Sequence, residues 1–223
     1  MNNNKHNAWG ALFDLDGVLI DSENIYTIFW HNIDLKYPTG VNNFEYVIKG
    51  NTLGNILNTY FHEEEIQAEI LKELKEHEAS MEYQLFEGVE KFLRTLRQKG
   101  IVSAIVTSSN VKKMEHLFLK LPVLQELVDV IITENDVTRS KPDPQGYNIA
   151  AKRLGLLPNQ CIVFEDSMAG VEAGRRAGGA VVGIATTNTK EHLMEFADVV
   201  FDSLAMIEIS DLEKLILSYS QQM

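Results

Sequence analysis

Six short apolar runs, at residues 11–15, 102–106, 128–132, 162–164, 180–184 and 199–201, constrain this 223-residue chain more than any other feature. Most are rich in Val and Ile and show little polar alternation. A strand with one solvated face alternates; a strand covered by helices on both faces does not. The intervening segments have a helical period. Residues 89–98 carry Val89, Phe92, Leu93 and Leu96 and end near Gly100, a favourable helix stop. Residues 110–120 carry Met114, Leu117 and Phe118, residues 147–154 stop at Gly155, and Ser167 can cap a helix running to Ala177. From residue 88 onward the alternation of strand and helix predicts an α/β fold, a doubly wound parallel-sheet core.

Residues 22–87 break that rhythm and read as helices only. Residues 63–81 place Ile66, Ile70, Leu74 and Met81 on one stripe of an otherwise charged helix. Residues 1–21 and 88–223 are therefore expected to form the core, and residues 22–87 a small all-α domain inserted after the first strand. Such an insert is either a lid or a plain surface decoration.

The length allows one large domain or a core with an insert, and 45% apolar residues suffice for an ordinary core. The formal charge of −12 argues against a nucleic-acid groove or an anionic membrane surface. It leaves room for a small anion bound at a locally positive site. The single cysteine, Cys161, opens an apolar run, so it can form no intrachain disulfide and is expected to be a buried packing residue. The first residues have no apolar stretch of the secretory kind, and no run approaches the ~20 residues that span a bilayer. A soluble, cytoplasmic protein is expected.

Functional groups in open α/β sheets collect at the carboxyl ends of strands. Asp14 and Asp16, in Phe13-Asp14-Leu15-Asp16-Gly17, close the first run. Two carboxylates two residues apart point the same way on an extended chain and repel, so a proton or a cation must relieve them. Asp14 could attack phosphorus and Asp16 could move a proton; the plainer reading is a capped turn. Thr107 and Ser108, before Ser109-Asn110, follow the second run and suit a phosphate oxygen, or an ordinary helix cap. Lys141 precedes Pro142, which keeps it out of a helix; its ammonium could neutralise Asp14 and a phosphoryl group, or be a surface lysine. Glu165 and Asp166 close a further run and could hold a hard cation such as Mg²⁺, or cap the helix with Ser167.

In this order, the four motifs resemble the haloacid-dehalogenase-like phosphohydrolases, and the resemblance covers nearly the whole chain. It implies that Asp14 becomes an aspartyl-phosphate, that Asp16 is the general acid/base, and that Thr107, Ser108 and Lys141 hold the transferring phosphoryl group. It also implies a Mg²⁺ site of Asp14, the Asp16 backbone carbonyl and Asp166, with Glu165 nearby. Val18 to Glu23 after Gly17, Lys49-Gly50, Phe86-Glu87-Gly88-Val89 and Ala169-Gly170-Val171 are similar to the branch with a helical cap that contains β-phosphoglucomutase and phosphoglycolate-type phosphatases. That branch implies a cap closing over the site, hinged near residues 21–23 and 85–88.

Sugar phosphomutases of that branch carry an arginine three residues after the Lys-Gly of the cap. Here Leu53 falls at that position, in Lys49-Gly50-Asn51-Thr52-Leu53, and leucine cannot pair with a phosphate. The expected activity is therefore hydrolysis of a small phosphate monoester, with a β-phosphoglucomutase-type reaction as the alternative, in which Lys49 or Lys75 would supply the missing charge. A receiver domain would be shorter and uncapped, a catalytically dead relative would have lost one of the four motifs, and no dinucleotide or P-loop fingerprint is present. The six histidines show no ligand spacing. Glu23, His31, Lys49, Asn51 and Thr52 are the candidates for substrate selection, and a monomer with a small phosphorylated metabolite as its partner is expected.

Overall fold

A computed structural model describes residues 9–48 and 53–221. The expectations placed on Lys49, Gly50, Asn51 and Thr52 lie outside the described residues, as does the side chain of Glu23. The chain divides into two compact units, one of Met1–Asp21 and Gln84–Met223, the other of Ser22–Tyr83. Residues 84–87, expected with the insert, fall in the larger unit. The Asp21 N–H donates to the Gln84 carbonyl at 3.0 Å and the Phe86 N–H to the Leu19 carbonyl at 3.1 Å, which ties the returning chain to the outgoing one.

The smaller unit is helical, with α1 (Glu23–Lys36), α2 (Phe44–Val47), α3 (Leu53–Tyr60) and α4 (Glu64–Ser80). Phe29, Trp30 and Ile33 from α1, Phe44 from α2, Ile56 and Leu57 from α3, and Ile70 and Leu74 from α4 bury one another. The apolar stripe of α4 is thus its inner face, and Ile66 packs partly against the same cluster. Leu53 also packs there, half-buried, which accounts for an apolar residue at that position.

In the larger unit β1 (Gly10–Phe13), β2 (Val102–Val106), β3 (Val130–Ile132), β4 (Cys161–Glu165), β5 (Ala180–Ile184) and β6 (Val199–Phe201) form one sheet in the order β3-β2-β1-β4-β5-β6. Every pairing is parallel. Helices α5 (Val89–Gln98), α6 (Val111–Lys120), α7 (Pro122–Leu127), α8 (Gln145–Arg153), α9 (Met168–Ala177), α10 (Lys190–Met194) and α11 (Ile209–Gln221) link and flank the strands. Every residue of β1, β4 and β5 is buried, so apolar residues are needed on both faces and no alternation survives in the sequence. Phe13 and Phe164 stack at 4.6 Å between ring centroids, and Phe92 of α5 meets both edge-on. Cys161 is fully buried, as expected.

Two expected strands are shorter than their apolar runs. β1 stops at Phe13 because the chain then winds into a tight turn, in which the Leu15 carbonyl accepts from the Leu19 N–H at 2.9 Å and Gly17 takes φ +84°. β3 starts at Val130 because Val128 ends α7 and Asp129 turns its carboxylate onto the Ser103 N–H at 2.8 Å.

The chain leaves β1 towards β2 and β3, then crosses back to β4 on the other side of β1. This reversal is the switch point at which open α/β sheets open a crevice at their carboxyl ends. Phe13 is in register with Ile105 of β2 and Phe164 of β4, so the residues that follow these strands are brought side by side. Among the described residues no helix is long and apolar enough to cross a membrane.

Candidate active site

Asp14 leaves the end of β1 with its N–H still bonded to the Phe164 carbonyl at 3.0 Å, so the sheet fixes its backbone. Its carboxylate meets the Lys141 ammonium at 2.5 Å. Lys141 comes from the loop before α8, and its Nζ also reaches Glu165 Oε1 at 2.6 Å and donates to the Val106 carbonyl at 3.0 Å. An ammonium has three donors, and these acceptors follow or end three different strands. Lys141 is therefore a crosspiece between the ends of β1, β2 and β4 rather than a surface lysine.

Glu165 is the last residue of β4 and has no exposed surface. Besides Lys141 it receives the Tyr147 hydroxyl on Oε1 at 2.5 Å and the Ser167 hydroxyl on Oε2 at 3.1 Å. Space for it is made by Gly170 in α9, where a Cβ would stand 1.8 Å from the Glu165 Cδ. Asp166 follows, nearly buried, its carbonyl accepting from the Asn188 side-chain amide at 2.8 Å. Its carboxylate lies against Gly17, where a Cβ would fall 1.9 Å from Oδ2, so the turn after Asp16 must be glycine for steric as well as torsional reasons. Ser167 caps α9 through the Gly170 N–H at 3.1 Å, so capping and the acidic pair coexist here.

Asp14, Glu165 and Asp166 offer carboxylate oxygens within 4.8 Å of one another. Burial pushes Asp14 from its ordinary 3.8 up to about 7; the charges of Glu165 and Asp16 add to this, and Lys141 opposes it. Burial first, then the charges of Asp14 and Glu165, raises Asp166 well above the carboxylate range. Burial disfavours the Lys141 ammonium, yet the Asp14 and Glu165 carboxylates prevail and raise it above the usual lysine value. Three buried carboxylates facing one ammonium are short of positive charge, and the deficit is met by protons or by a bound cation. An all-oxygen donor set fits a hard divalent cation. Glu165 already has both oxygens engaged, which leaves Asp14 and Asp166 as the better placed carboxylates.

Asp16 faces a different set of partners. The Lys113 Nζ, in the first turn of α6, lies 2.8 Å from its Oδ1 and 2.9 Å from its Oδ2, and the Ser109 hydroxyl donates to Oδ2 at 3.1 Å. The Asp16 carboxylate stands outside the acidic group of Asp14, Glu165 and Asp166. Thr107 follows β2, is buried, and bonds through its N–H to the Ile132 carbonyl at 2.9 Å. Its hydroxyl accepts from the Ser109 N–H at 3.0 Å. Ser108 is exposed at the tip of this turn. The cap of α6 is Asn110, which accepts from the Lys113 N–H at 2.9 Å, so neither Thr107 nor Ser108 is spent on capping.

Sequence reasoning did not single out Lys113, Tyr147 or Asn188, and it quoted Ser109 without a role. Lys113 had a legible signal. It sits four residues before Leu117 and next to Met114, the two buried residues of α6, so helical period places a charged residue at the edge of a buried face. Tyr147 and Asn188 gave none, because each reaches its partner only through the packing of separate elements.

The chain matches the family described as haloacid dehalogenase-like hydrolase over residues 11–184. It is 35% identical to validoxylamine A 7'-phosphate phosphatase of Streptomyces hygroscopicus subsp. limoneus, over 88% of this chain and 94% of that protein. It is 32% identical to hexitol phosphatase A of Escherichia coli (strain K12), over 90% of this chain and 94% of that protein. Among solved structures, a HAD hydrolase of family IA, variant 3, from Entamoeba histolytica HM-1:IMSS superposes with a TM-score of 0.81 at 25% identity, over 94% of this chain and 99% of that one.

Proposed function

The chain belongs to the haloacid dehalogenase-like hydrolases, and from that premise we propose that it is a Mg²⁺-dependent phosphatase that hydrolyses a small phosphate monoester through a phosphoryl group carried on Asp14. The observation that carries the reading is the Lys141 ammonium held between Asp14 and Glu165 at the switch point of the sheet. A carboxylate nucleophile and a phosphate dianion repel, and a fixed positive charge beside the attacking oxygen lowers that repulsion as the bond forms.

On this reading an Asp14 oxygen attacks phosphorus, the bond from phosphorus to the ester oxygen breaks, and Asp16 gives its proton to the departing oxygen. Water then attacks the phosphoryl group on Asp14 while Asp16 takes the proton back, which frees phosphate and restores both carboxyls. Lys141 and the Thr107-Ser108 turn hold the phosphoryl oxygens. Asp14, Asp166 and the Asp16 backbone carbonyl would hold Mg²⁺, with Glu165 beside them to orient Lys141. When bound, the ion supplies further positive charge at the phosphoryl group.

The relatives named for a validoxylamine phosphate and for hexitols favour a polyhydroxylated phosphate ester such as a sugar or polyol phosphate. The helical insert is the candidate lid. Its two crossings into the core lie side by side, bridged at Ile20 and Leu85, as a short hinge would require. All the groups named come from one chain, so the reading needs no second copy.

The test is phosphate release from a panel of sugar, polyol and nucleoside monophosphates with Mg²⁺, with glucose 6-phosphate also followed from β-glucose 1-phosphate. Release on a few small esters, lost with EDTA and with Asp14→Asn, is the expected result. Turnover retained by Asp14→Asn would overturn the nucleophile, and glucose 6-phosphate formed faster than free phosphate would replace hydrolysis by the mutase reaction.

A further inference from the structure

The Lys113 side chain is only 8% exposed, whereas Asp16, the group it serves, is 28% exposed. Burying an ammonium is costly, and a lysine free to reach water would do so. Lys113 instead lies across both oxygens of one carboxylate, at 2.8 and 2.9 Å, and the Ser109 hydroxyl takes the second oxygen from the side. The backbone beneath is equally constrained. Asn110 caps α6 on the Lys113 N–H itself at 2.9 Å, and the Ser109 N–H is bonded to Thr107 at 3.0 Å. Both partners of Asp16 therefore stand on the segment that follows β2, while Asp16 stands on the turn after β1. The contact ties the Asp16 carboxyl to the first turn of α6, and because both oxygens accept there, one of these hydrogen bonds must open for Asp16 to carry a proton.

We propose that Lys113 is a positioning residue of the reaction, which with Ser109 fixes the Asp16 carboxyl where it must meet the departing oxygen. The inference rests on the reading of Asp16 as the proton donor. Proton donation matters in proportion to how poor the leaving group is. An alkoxide needs the proton; p-nitrophenolate leaves readily without it. Loss of Lys113 should therefore weigh on alkyl esters and spare aryl esters, whereas a lysine that merely bound the phosphate or stabilised the fold would weigh on both alike. The ratio kcat/KM reports only the steps up to release of the leaving group, so it excludes the later attack of water from the comparison.

The experiment measures kcat/KM of wild type, Lys113→Met and Lys113→Arg on p-nitrophenyl phosphate and on the sugar or polyol phosphate that wild type turns over best, with folding checked by circular dichroism. For Lys113→Met the expected result is a fall of roughly 10–100-fold on the alkyl ester, the scale of a misplaced group, and of less than about threefold on the aryl ester. Lys113→Arg should recover most of the alkyl activity. An equal fall on both esters, or none on either, overturns the inference while leaving the phosphatase reading intact. Wild type inactive on every ester overturns that reading and this inference with it. Should Lys113→Met fail to fold, Ser109→Ala, which removes one contact and no charge, must show the same bias between esters on a smaller scale, and no bias refutes the proposal.

Discussion

Gly170→Ala is the substitution whose consequence the structure specifies most narrowly. Gly170 lies in the first turn of α9, where alanine would ordinarily be welcome and would gain up to about 1 kcal/mol over glycine. Here the new Cβ would land 1.8 Å from the Cδ of Glu165 and 1.9 and 2.0 Å from its two oxygens. Glu165 cannot yield without leaving Lys141, Tyr147 or Ser167, and it has no exposed surface through which water could replace them. Breaking a buried charge pair costs about 3–5 kcal/mol. Set against the helix gain, the net loss is about 2–4 kcal/mol, and a chain of this length loses roughly 2–4 °C of melting temperature per kcal/mol. Thermal unfolding followed by circular dichroism should therefore show a fall of roughly 5–15 °C, accompanied by loss of turnover as Lys141 loses its anchor. The control is Gly54→Ala in α3, where a Cβ meets nothing within 4 Å and a neutral or slightly stabilising effect is expected. A Gly170→Ala protein that melts with wild type would refute the packing of Glu165 against α9, and with it the argument that Glu165 anchors Lys141.

Three further outcomes follow from the same geometry. Burial, chiefly, raises Asp14 from 3.8 to about 7 and shifts Asp166 the same way, so the folded protein keeps protons that the unfolded chain has released. Without metal, the contribution of these two carboxyls to stability should be present in full below about pH 4 and be lost as pH rises through about 7; Mg²⁺ should raise the melting temperature more near neutrality than near pH 5, and a Mg²⁺ effect that is larger near pH 5 would contradict the assignment. Asp16→Asn should leave binding of a phosphate analogue intact but slow turnover by roughly 10²–10⁴-fold, read from steady-state kinetics. Burial pushes the Cys161 thiol up to about 12, so the native protein should not react with a thiol reagent at neutral pH and should react once urea exposes β4; rapid native labelling would place Cys161 elsewhere.

Fold class and the principal residues of the candidate site were legible in the chain because both depend on local signals. A strand buried on two faces must be apolar throughout, and a group used at a strand's carboxyl end must follow that run directly, which marks Asp14, Thr107, Glu165 and Asp166. Lys141 was legible through Pro142, which holds it off a helix. Only the tertiary structure decided what these groups do to one another. The register of Phe13 with Ile105 and Phe164 makes neighbours of residues roughly a hundred and fifty positions apart, and no local pattern encodes register between strands separated by whole helices. The same holds for Lys113 on Asp16 and Tyr147 on Glu165. A lysine and a tyrosine on amphipathic helices look alike whether they face water or a buried carboxylate, and packing alone selects between them. Even Gly17 and Gly170 owe their necessity to carboxylates brought against them by folding.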